Sequence, residues 1–411
     1  MKDYLRKLLF TGLCLLIFAS TIFSQNDKTQ PLKYHLPTLP YTVPNNPVGI
    51  FTLRVPMLTN NLSTGQYAFE VTSSAGNVWL PKLAIIRPLN ISEGLDKELR
   101  SLLFHERAPL FENNDFQRDS IIYQADGVIR NFRFDFKYQL SDRQTIGIVL
   151  NGHLLTGGNT AINALASDRF IEWFHSSVIN DEDPFSRKIF PFNQARVSYK
   201  DELGREFDWE RDEFILSNLE LSYQQEIFKT DLQSLNISGH LMIPLSIMNP
   251  NLGAGVGLHW GYILPFRSNK AFIFMTSANI VNQDIFSLYD GVHPINRKFS
   301  AGFDGYAGYQ KVNKTHTFSV GLQIINQQSL RRGSSMKKSF ETLMFQGLHG
   351  ANEKVEWEHQ AAISMNSLLQ NWNLIFTLEN KKGRLAFYLQ EDFWVNNAPD
   401  IQYGLSGMIK F

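Results

Sequence analysis

The sequence predicts an all-β protein: an antiparallel transmembrane β-barrel of about 12 strands with one short helix in a long external loop. Three observations predict this fold: segments in which apolar and polar residues alternate, connectors that alternate between short and long, and an unusual composition. Aromatic residues make up 13% of the 411 residues and charged residues only 19%, whereas charged residues usually reach about 25%. The formal net charge of +0 gives no support for a nucleic-acid partner.

The first 24 residues predict a secretory signal peptide. Basic residues open the segment, an apolar run follows, and the small residue Ser24 precedes Gln25. The apolar run is shorter than the ~20 residues that a membrane-spanning helix needs. The single cysteine, Cys14, lies in this segment, so we expect no disulfide in the mature chain. We therefore expect export to the outer membrane of a double-membrane bacterium.

Residues 25–64 are rich in proline and predict an arm or plug, not part of the barrel wall. Six prolines occur between Pro31 and Pro56. Proline lacks the backbone N–H that a sheet ladder requires, so it is rare in central strands. The barrel is accordingly expected to span residues 65–411.

Strict alternation is clearest in the segment NFRFDFKYQL, residues 131–140. Phe132, Phe134 and Phe136 fall on one face, and charged residues fall on the other. This period of two is typical of a strand with one apolar face. Polar or charged residues of the opposite faces are the candidates for lining the lumen: Arg133, Asp135, Lys137, Glu220, His240, His259, Asp304 and Gln390.

The connectors alternate in length in the way that outer-membrane barrels require. Short turns such as SDR, FKTD and KKG alternate with long polar stretches at 154–212, 282–298 and 328–338. Short periplasmic turns and long external loops are typical of such barrels. A secreted β-sandwich is the alternative, but it does not explain this one-sided arrangement. We expect 12 strands, or 14 if residues 339–365 enter the wall.

The last segment, PDIQYGLSGMIKF, alternates to its final residue and is expected to close the barrel against the first strand. In lipid every backbone polar group must be paired internally, so a sheet must close on itself. An alternating strand with a terminal aromatic residue is also the pattern that the barrel-assembly machinery recognises in outer-membrane proteins. We expect this signal at Tyr403, Leu405, Ile409 and Phe411.

The longest connector contains the segment TAINALASDRFIEWFHSSVI, whose apolar residues follow a helical spacing. This predicts a helix with Phe170, Trp173 and His175 at its end. Two positions are open for it. It could fold over or into the pore mouth, or it could pack on its own loop and bury its apolar stripe there.

The chain resembles the bacterial family catalogued as domain of unknown function 3187, a set of predicted outer-membrane proteins. The matching pieces include PNNPVGIF, the alternating segment around residues 126–152, the loop helix and the closing segment. They follow the family's order over most of the mature chain, although residues 328–365 match poorly. The resemblance implies a barrel and supplies no substrate.

Enzymatic chemistry finds little support in the sequence. A lipid hydrolase would need a histidine and a serine held together, and the His-x-Ser spacing occurs at His175–Ser177, at the end of the loop helix. No Cys/His cluster predicts a metal site, and GAGVG at 253–257 lacks the lysine of a phosphate loop. We expect no enzyme, no metal and no cofactor.

The favoured function is a passive channel or transport barrel for small solutes whose identity the sequence does not reveal. A structural or surface-interaction barrel with a blocked lumen is the first alternative, and an outer-membrane lipid hydrolase is the second. The expected partners are outer-membrane lipid and, during biogenesis, the barrel-assembly machinery. We expect a monomer that binds no nucleic acid.

Overall fold

The structure is a computed structural model. It describes residues 34–42, 49–59, 61–86, 121–158, 161–174, 177, 195–201, 203–292, 298–330, 341–342, 369–392 and 401–411. The predicted signal peptide, residues 1–24, lies outside the described residues, as do His175 and most of 339–365.

Within the described residues the chain forms fifteen strands and three short helices. The strands are β1 (Tyr67–Ile86), β2 (Ile121–Ser141), β3 (Gln144–Thr156), β4 (Arg196–Lys200), β5 (Glu206–Trp209), β6 (Phe214–Lys229), β7 (Gln233–Pro244), β8 (Gly253–Arg267), β9 (Lys270–Asn282), β10 (Phe299–Val312), β11 (Thr317–Ser329), β12 (Glu341–Thr342), β13 (Leu369–Asn380), β14 (Gly383–Asp392) and β15 (Gln402–Lys410). The helices are the 3-10 helices η1 (Gly49–Phe51) and η2 (Ala161–Ala166) and the α-helix α1 (Asp168–Phe174). Among the described residues, no helix has both the length and the hydropathy that a membrane-spanning helix requires.

Twelve of these strands form a closed antiparallel barrel in the order β1-β2-β3-β6-β7-β8-β9-β10-β11-β13-β14-β15. The ring closes because β1 pairs with β2 on one edge and with β15 on the other. Two backbone hydrogen bonds between Tyr67 and Phe411, of 3.2 and 2.9 Å, extend this closure to the end of β15.

The prediction of 12 strands is confirmed, and the alternative of 14 is wrong. The ring is complete without a strand between β11 and β13, because these two strands pair directly. The two-residue strand β12 instead pairs with the far end of β1, at Ile85 and Ile86.

The short turns all lie at one end of the barrel. They join β2 to β3, β6 to β7, β8 to β9, β10 to β11 and β13 to β14. The start of β1 and the end of β15 lie at the same end. Because outer-membrane barrels place their short turns in the periplasm, we call this the periplasmic end and the opposite one the external end.

The wall has an apolar outer face and a largely polar inner face. In β9, every second residue is buried inside the barrel, and the residues between them point outward. Large apolar residues of the outer face are exposed around the whole ring, among them Phe134, Ile148, Leu258, Phe274, Phe303 and Leu322. A continuous apolar exterior of this kind is the surface that a membrane-spanning barrel presents to lipid.

Two further strands, β4 and β5, extend the sheet at the external end. The region 154–212, predicted to be a loop with one helix, therefore also contains a hairpin, since β4 pairs with β2 and β5 pairs with β4. Four residues are buried on one side of the hairpin: Val197, Tyr199, Phe207 and Trp209. Its charged side is exposed and carries the ion pair between Arg196 and Asp208, of 2.8 Å.

The predicted loop helix is present as η2 and α1, but neither expected position is correct. Ala166 packs against Ala75, Val128 and Tyr403. These three residues lie on the outward-facing side of the wall. Tyr403 is two residues from the exposed Leu405 in β15, Ala75 pairs with Tyr403, and Val128 pairs with Asn77, which is on the same face of β1 as Ala75. The Asn77 side-chain amide donates to the Ala166 carbonyl at 3.0 Å. The segment thus folds over the rim onto the outside of the barrel.

Leu258, near the middle of β8 on the outer face, tests the lipid contact of the wall. Leu258→Arg should lower the free energy of unfolding by about 2–4 kcal/mol, because a charge at the bilayer midplane is costly. The measurement is urea-induced unfolding in phospholipid vesicles. Leu203→Arg is the control: Leu203 is 74% exposed in the β4–β5 turn, so the same change there should cost under about 0.5 kcal/mol. Equal stabilities of the two variants would contradict a lipid-facing Leu258.

Candidate functional site: the arm inside the barrel

The described part of the N-terminal region, residues 34–42 and 49–59, lies inside the barrel; we call it the arm. At the periplasmic end the Tyr34 hydroxyl donates to the Arg267 carbonyl and lies 3.2 Å from the Lys270 carbonyl oxygen. At the external end the ring of Phe51 lies 5.7 Å from that of Phe207 in the β4–β5 hairpin. The arm therefore extends from one end of the lumen to the other and returns to β1.

A strip of glycines on the inner face of β8 makes room for the arm. A Cβ atom added at Gly257 would lie 2.7 Å from a methyl group of Val55, and one at Gly261 would lie closer still to a methyl group of Leu36. Contacts this short do not occur between real side chains, so only glycine permits the approach. The GAGVG segment is thus a seat for the arm.

The apolar side chains of the arm pack against apolar residues of the inner wall. Leu36, Leu39 and Met57 belong to a buried cluster formed with the following wall residues: Ile263, Ala271, Ile273, Met275, Tyr306, Ile375 and Tyr388. Leu53 and Val55 form a second cluster with Met242 and Val281. Burying an aliphatic side chain of this size stabilises a contact by about 1.5–3 kcal/mol, so these residues contribute much of the binding of the arm.

Polar side chains of the wall hold the backbone of the arm. The side-chain amide of Gln283 accepts from the Leu53 N–H at 2.9 Å and donates to the Leu53 carbonyl at 2.7 Å, much as a neighbouring strand would. Gln327 donates to the same carbonyl at 3.0 Å. Arg384, which is fully buried, donates to the Thr38 carbonyl at 2.5 Å. These contacts satisfy arm backbone groups that no sheet ladder pairs.

Two arginines with buried carboxylate partners surround the aromatic ring of Tyr41. Arg54, on the arm, pairs with Asp304 of β10 at 2.9 Å, and both side chains are almost fully buried. Arg133, on the wall, pairs with Glu220 at 3.3 Å, and its guanidinium lies 3.7 Å from the centroid of the Tyr41 ring. A buried charge needs such a partner, because an unpaired one is strongly destabilising.

At the periplasmic end, two more buried carboxylates, Glu70 and Glu379, form ion pairs. Arg384 contacts Glu70 of β1 at 2.5 Å. His35 of the arm lies 3.3 Å from Glu379 of β13, which also accepts from Lys410 of β15 at 2.9 Å. The foot of the arm is therefore held by β13 through His35 and by β14 through the Thr38 carbonyl, and Arg384 in turn is paired with β1.

All eight residues predicted to line the lumen lie on the inner face of the wall. Lys137 is half-buried and contacts Asp135 at 3.2 Å, and the other residues of the set are buried. His240 and His259 both contact the Ser238 hydroxyl, at 3.0 and 2.8 Å. They belong to a filled interior.

One small cavity lies between the described part of the arm and the wall. A cavity of about 30 Å³ lies among Tyr41, Arg133, Asp135 and Lys137. A water molecule needs roughly 10–15 Å³ of such volume, so this cavity accommodates about two waters and no larger solute. Phe207 covers Phe51 at the external end, and the described part of the arm occupies the lumen between this contact and Tyr34 at the periplasmic end.

The remaining predicted site residues lie on the outer surface. Leu405 and Phe411 are exposed, and Tyr403 and Ile409 are half-buried on the outward-facing side of β15. This placement leaves the predicted assembly signal as a prediction. Trp173 is 55% exposed and Phe170 half-buried, while His175 lies outside the described residues.

The sequence did not identify the residues that hold the arm. These residues include Gln283, Arg384 and also Asn249, whose side-chain amide donates to the Phe51 carbonyl at 2.6 Å. Alternation can place a side chain on the inner face, but it does not show which distant carbonyl that side chain meets. The glycines at 255, 257 and 261 do carry a signal in the sequence. Glycine repeated on one face of a strand indicates the close approach of another backbone or side chain.

Comparisons with known proteins assign neither a family nor an activity to the chain. No family model matches the chain, so the resemblance to domain of unknown function 3187 stays a prediction. No curated protein matches it significantly.

Among solved structures, an outer-membrane channel from Pseudomonas putida F1 is 12% identical, with a TM-score of 0.36, over 85% of this chain and 97% of that one. The NanC porin is 7% identical, with a TM-score of 0.31, over 69% and 93% of the two chains. LpxR from Salmonella typhimurium is 8% identical, with a TM-score of 0.34, over 84% and 99%. Likeness at this level assigns no activity.

The ring closure, the short turns at one end and the apolar exterior define the chain as a closed antiparallel β-barrel with the features of membrane-spanning barrels. Its distinguishing feature is an N-terminal arm inside the lumen, held by the ion pairs of His35 and Arg54, by the ring of Tyr41 beside Arg133, and by the hydrogen bond from Arg384 to Thr38.

Removal of one partner of the Arg54–Asp304 pair tests how firmly the arm is held. Arg54→Met should lower the free energy of unfolding by about 3–5 kcal/mol, because Asp304 is then left buried without its counter-charge. The measurement is urea-induced unfolding in detergent micelles. The double variant Arg54→Met/Asp304→Leu is the matched control and should recover most of the loss, since an apolar pair can replace a buried ion pair. A single variant as stable as the wild type would show that the pair does not hold the arm.

Proposed function

We propose that the protein is a gated transport barrel of the outer membrane for small polar solutes, with the arm as its gate. The conformation described above is the closed one. The observation that carries the proposal is the position of the arm, which fills a polar lumen and is anchored at the periplasmic end.

The polar inner wall beneath the arm supports a transport role. Besides the groups that bind the arm, the inner face carries many buried polar side chains, among them Asn151, Gln224, Asn236, Ser238, Asn279, Asn371 and Asn373. If the arm leaves, these side chains line a hydrated pathway. A barrel of 12 strands lies between eight-stranded barrels, which side chains fill, and porins of 16–18 strands, which contain an aqueous channel.

The nature of the contacts supports a gate that can move. Within the described residues, the arm is attached by hydrogen bonds, ion pairs and apolar contacts, all of which can break and re-form. Both its foot at Tyr34 and its continuation into β1 at Tyr67 lie at the periplasmic end. The arm can therefore withdraw toward the periplasm without passing the β4–β5 hairpin.

A surface-interaction barrel with a permanently blocked lumen is the second candidate. The contact of Phe51 with Phe207 favours it, because the arm is covered at its external tip by the β4–β5 hairpin. The exposed charged side of that hairpin, with Arg196 and Asp208, would then be a contact surface for an external partner. A lipid hydrolase acting through His175 has no comparable observation in its favour.

A cysteine pair that locks the arm to the wall distinguishes the two candidates. Val55→Cys with Gly257→Cys brings the Cβ atoms within roughly the 3.5–4.5 Å that a disulfide requires, since a Cβ at Gly257 would lie 2.7 Å from a Val55 methyl group. The measurement is single-channel conductance in planar bilayers. The oxidised variant should show no openings. The reduced variant should open more often than the wild type, because the side chain added by Gly257→Cys crowds the seat of the arm.

The single variants Val55→Cys and Gly257→Cys are the controls, and their conductance should not respond to oxidant. The same conductance in the oxidised and reduced states of the double variant would mean that the arm is not the gate. A reduced variant that never conducts, at any voltage, would favour the blocked barrel.

A further inference from the structure

Arg130 is a charged residue on the lipid-facing side of the wall. It lies in β2 directly opposite Ala75 of β1, on the face that continues with Phe132 and the exposed Phe134. A charged side chain on the lipid face of a barrel is destabilising unless it reaches the interface or finds a partner. The groups around Arg130 therefore show whether the protein itself supplies a partner for this charge.

The groups around Arg130 leave its charge without a carboxylate partner. The guanidinium lies 5.5 Å from the centroid of the Phe132 ring and 3.4 Å from the Ser73 hydroxyl, to which it donates. Tyr403 of β15 is near enough to interact with it electrostatically. Within the described parts of the chain, no acidic side chain comes within ion-pair distance of Arg130.

Arg130 lies close to the external edge of the apolar band, within reach of the headgroups for a long side chain. It precedes Tyr138, which lies beside the periplasmic turn, by eight positions along β2. At about 3.3 Å per residue and a strand tilt of about 40°, this is roughly 20 Å along the membrane normal. The apolar band of such barrels is about 25 Å tall and has aromatic residues at both edges. Tyr138 and Tyr403 match the two edges.

We propose that Arg130, with the hydroxyl groups of Ser73 and Tyr403, binds a phosphate group of a glycolipid in the external leaflet. The planar guanidinium can donate two parallel hydrogen bonds to a phosphate, and the two hydroxyls can donate one each. The external position of the site selects the glycolipid, because the external leaflet of an outer membrane is built from phosphorylated glycolipids. The site requires the outer-membrane placement of the barrel but not the movement of the arm.

The segment η2–α1 forms the outer border of this site. Ala166 packs on Ala75, which lies opposite Arg130, and on Val128, which lies two residues from Arg130 toward the external end. Leu165 and Trp173 on the same segment are 50% and 55% exposed. Tryptophan and leucine at this depth suit the boundary between headgroups and acyl chains. The segment thus places an apolar surface beside the charged group, which matches a phosphorylated lipid.

Binding of diphosphoryl lipid A and of its dephosphorylated form to the folded full-length protein tests the site. The dissociation constants are measured in mixed micelles by native mass spectrometry. The wild type should bind the phosphorylated form about tenfold more tightly, a ratio equivalent to one charge-assisted contact. Arg130→Gln should abolish this preference, and Arg130→Lys should retain part of it, because lysine keeps the charge but not the paired donors.

Arg143→Gln is the matched control, because Arg143 is exposed in the β2–β3 turn at the periplasmic end; this variant should keep the full preference. If Arg130→Gln does not fold, the pair Ser73→Ala/Tyr403→Phe takes its place and should reduce the preference about threefold.

A wild type without a preference, or Arg130→Gln with the wild-type preference, overturns the proposal. Equal binding of phosphatidylglycerol overturns the assignment to a glycolipid. Failure to insert into vesicles, read from electrophoretic mobility with and without heating, would instead contradict the membrane placement.

Discussion

Pairing of every backbone N–H and C=O group within the hydrocarbon region is the constraint on which the rest of the structure depends. A sheet in lipid cannot leave an open edge, because water is absent there to satisfy the unpaired groups. The ladder between β1 and β15, from Ala68↔Lys410 to Gly76↔Gln402, removes the two edges of this sheet. The alternation of side chains follows, since a closed wall must present one face to lipid and the other to its own interior.

Closure with 12 strands creates an interior that wall side chains do not fill by themselves. The arm occupies this space, and the wall is adapted to it in three ways. The glycines of β8 leave room for the side chains of Val55 and Leu36. Amides such as Gln283 replace the hydrogen bonds of a neighbouring strand. Asp304 supplies the counter-charge for Arg54. Each adaptation is weak enough to be reversed, and this is why the arm is suited to act as a gate.

The outer surface shows the complementary adaptation. Where the apolar band ends, aromatic and charged residues appear together, as at Phe132, Arg130 and Tyr403. The loop segment η2–α1 folds down over the same region instead of entering the lumen. Its apolar residues therefore meet lipid or the outer wall, and the lumen is closed from the external side by the β4–β5 hairpin.

The wall could be predicted from the sequence because its physical rule is local. Alternation in each strand, the length of each connector and the closing strand together favoured 12 strands and left 14 as the alternative. The positions of the arm, the β4–β5 hairpin and the loop helix depend on contacts between residues far apart in the chain. Phe51 and Phe207, or Ala166 and Val128, leave no common pattern in the sequence. The helix was misplaced because its apolar stripe indicates burial but does not say against which surface.

The inner-face residues were identified in the same way, since alternation assigns Asp304 and Glu220 to the lumen. Their partners could not be identified. Arg54 lies in a proline-rich stretch without periodicity, and only the folded arm brings it to Asp304. The position of the arm therefore determines whether the polar inner face contacts water or a packed segment of the chain, and the sequence of the wall does not reveal this position.

The most direct measurement is a scan of nitroxide spin labels along β9 in phospholipid vesicles, with one label at each position from Phe272 to Ile280. Collision rates with oxygen report contact with lipid, and those with a water-soluble nickel complex report contact with water. We expect high oxygen accessibility at the outward positions Phe272, Phe274, Thr276, Ala278 and Ile280. We expect low accessibility to both reagents at the inward positions Ile273, Met275, Ser277 and Asn279, where the arm and the polar wall fill the interior. Protection of the outward positions from oxygen would show that they face a second sheet, and free access of the nickel complex to the inward positions would show an open lumen.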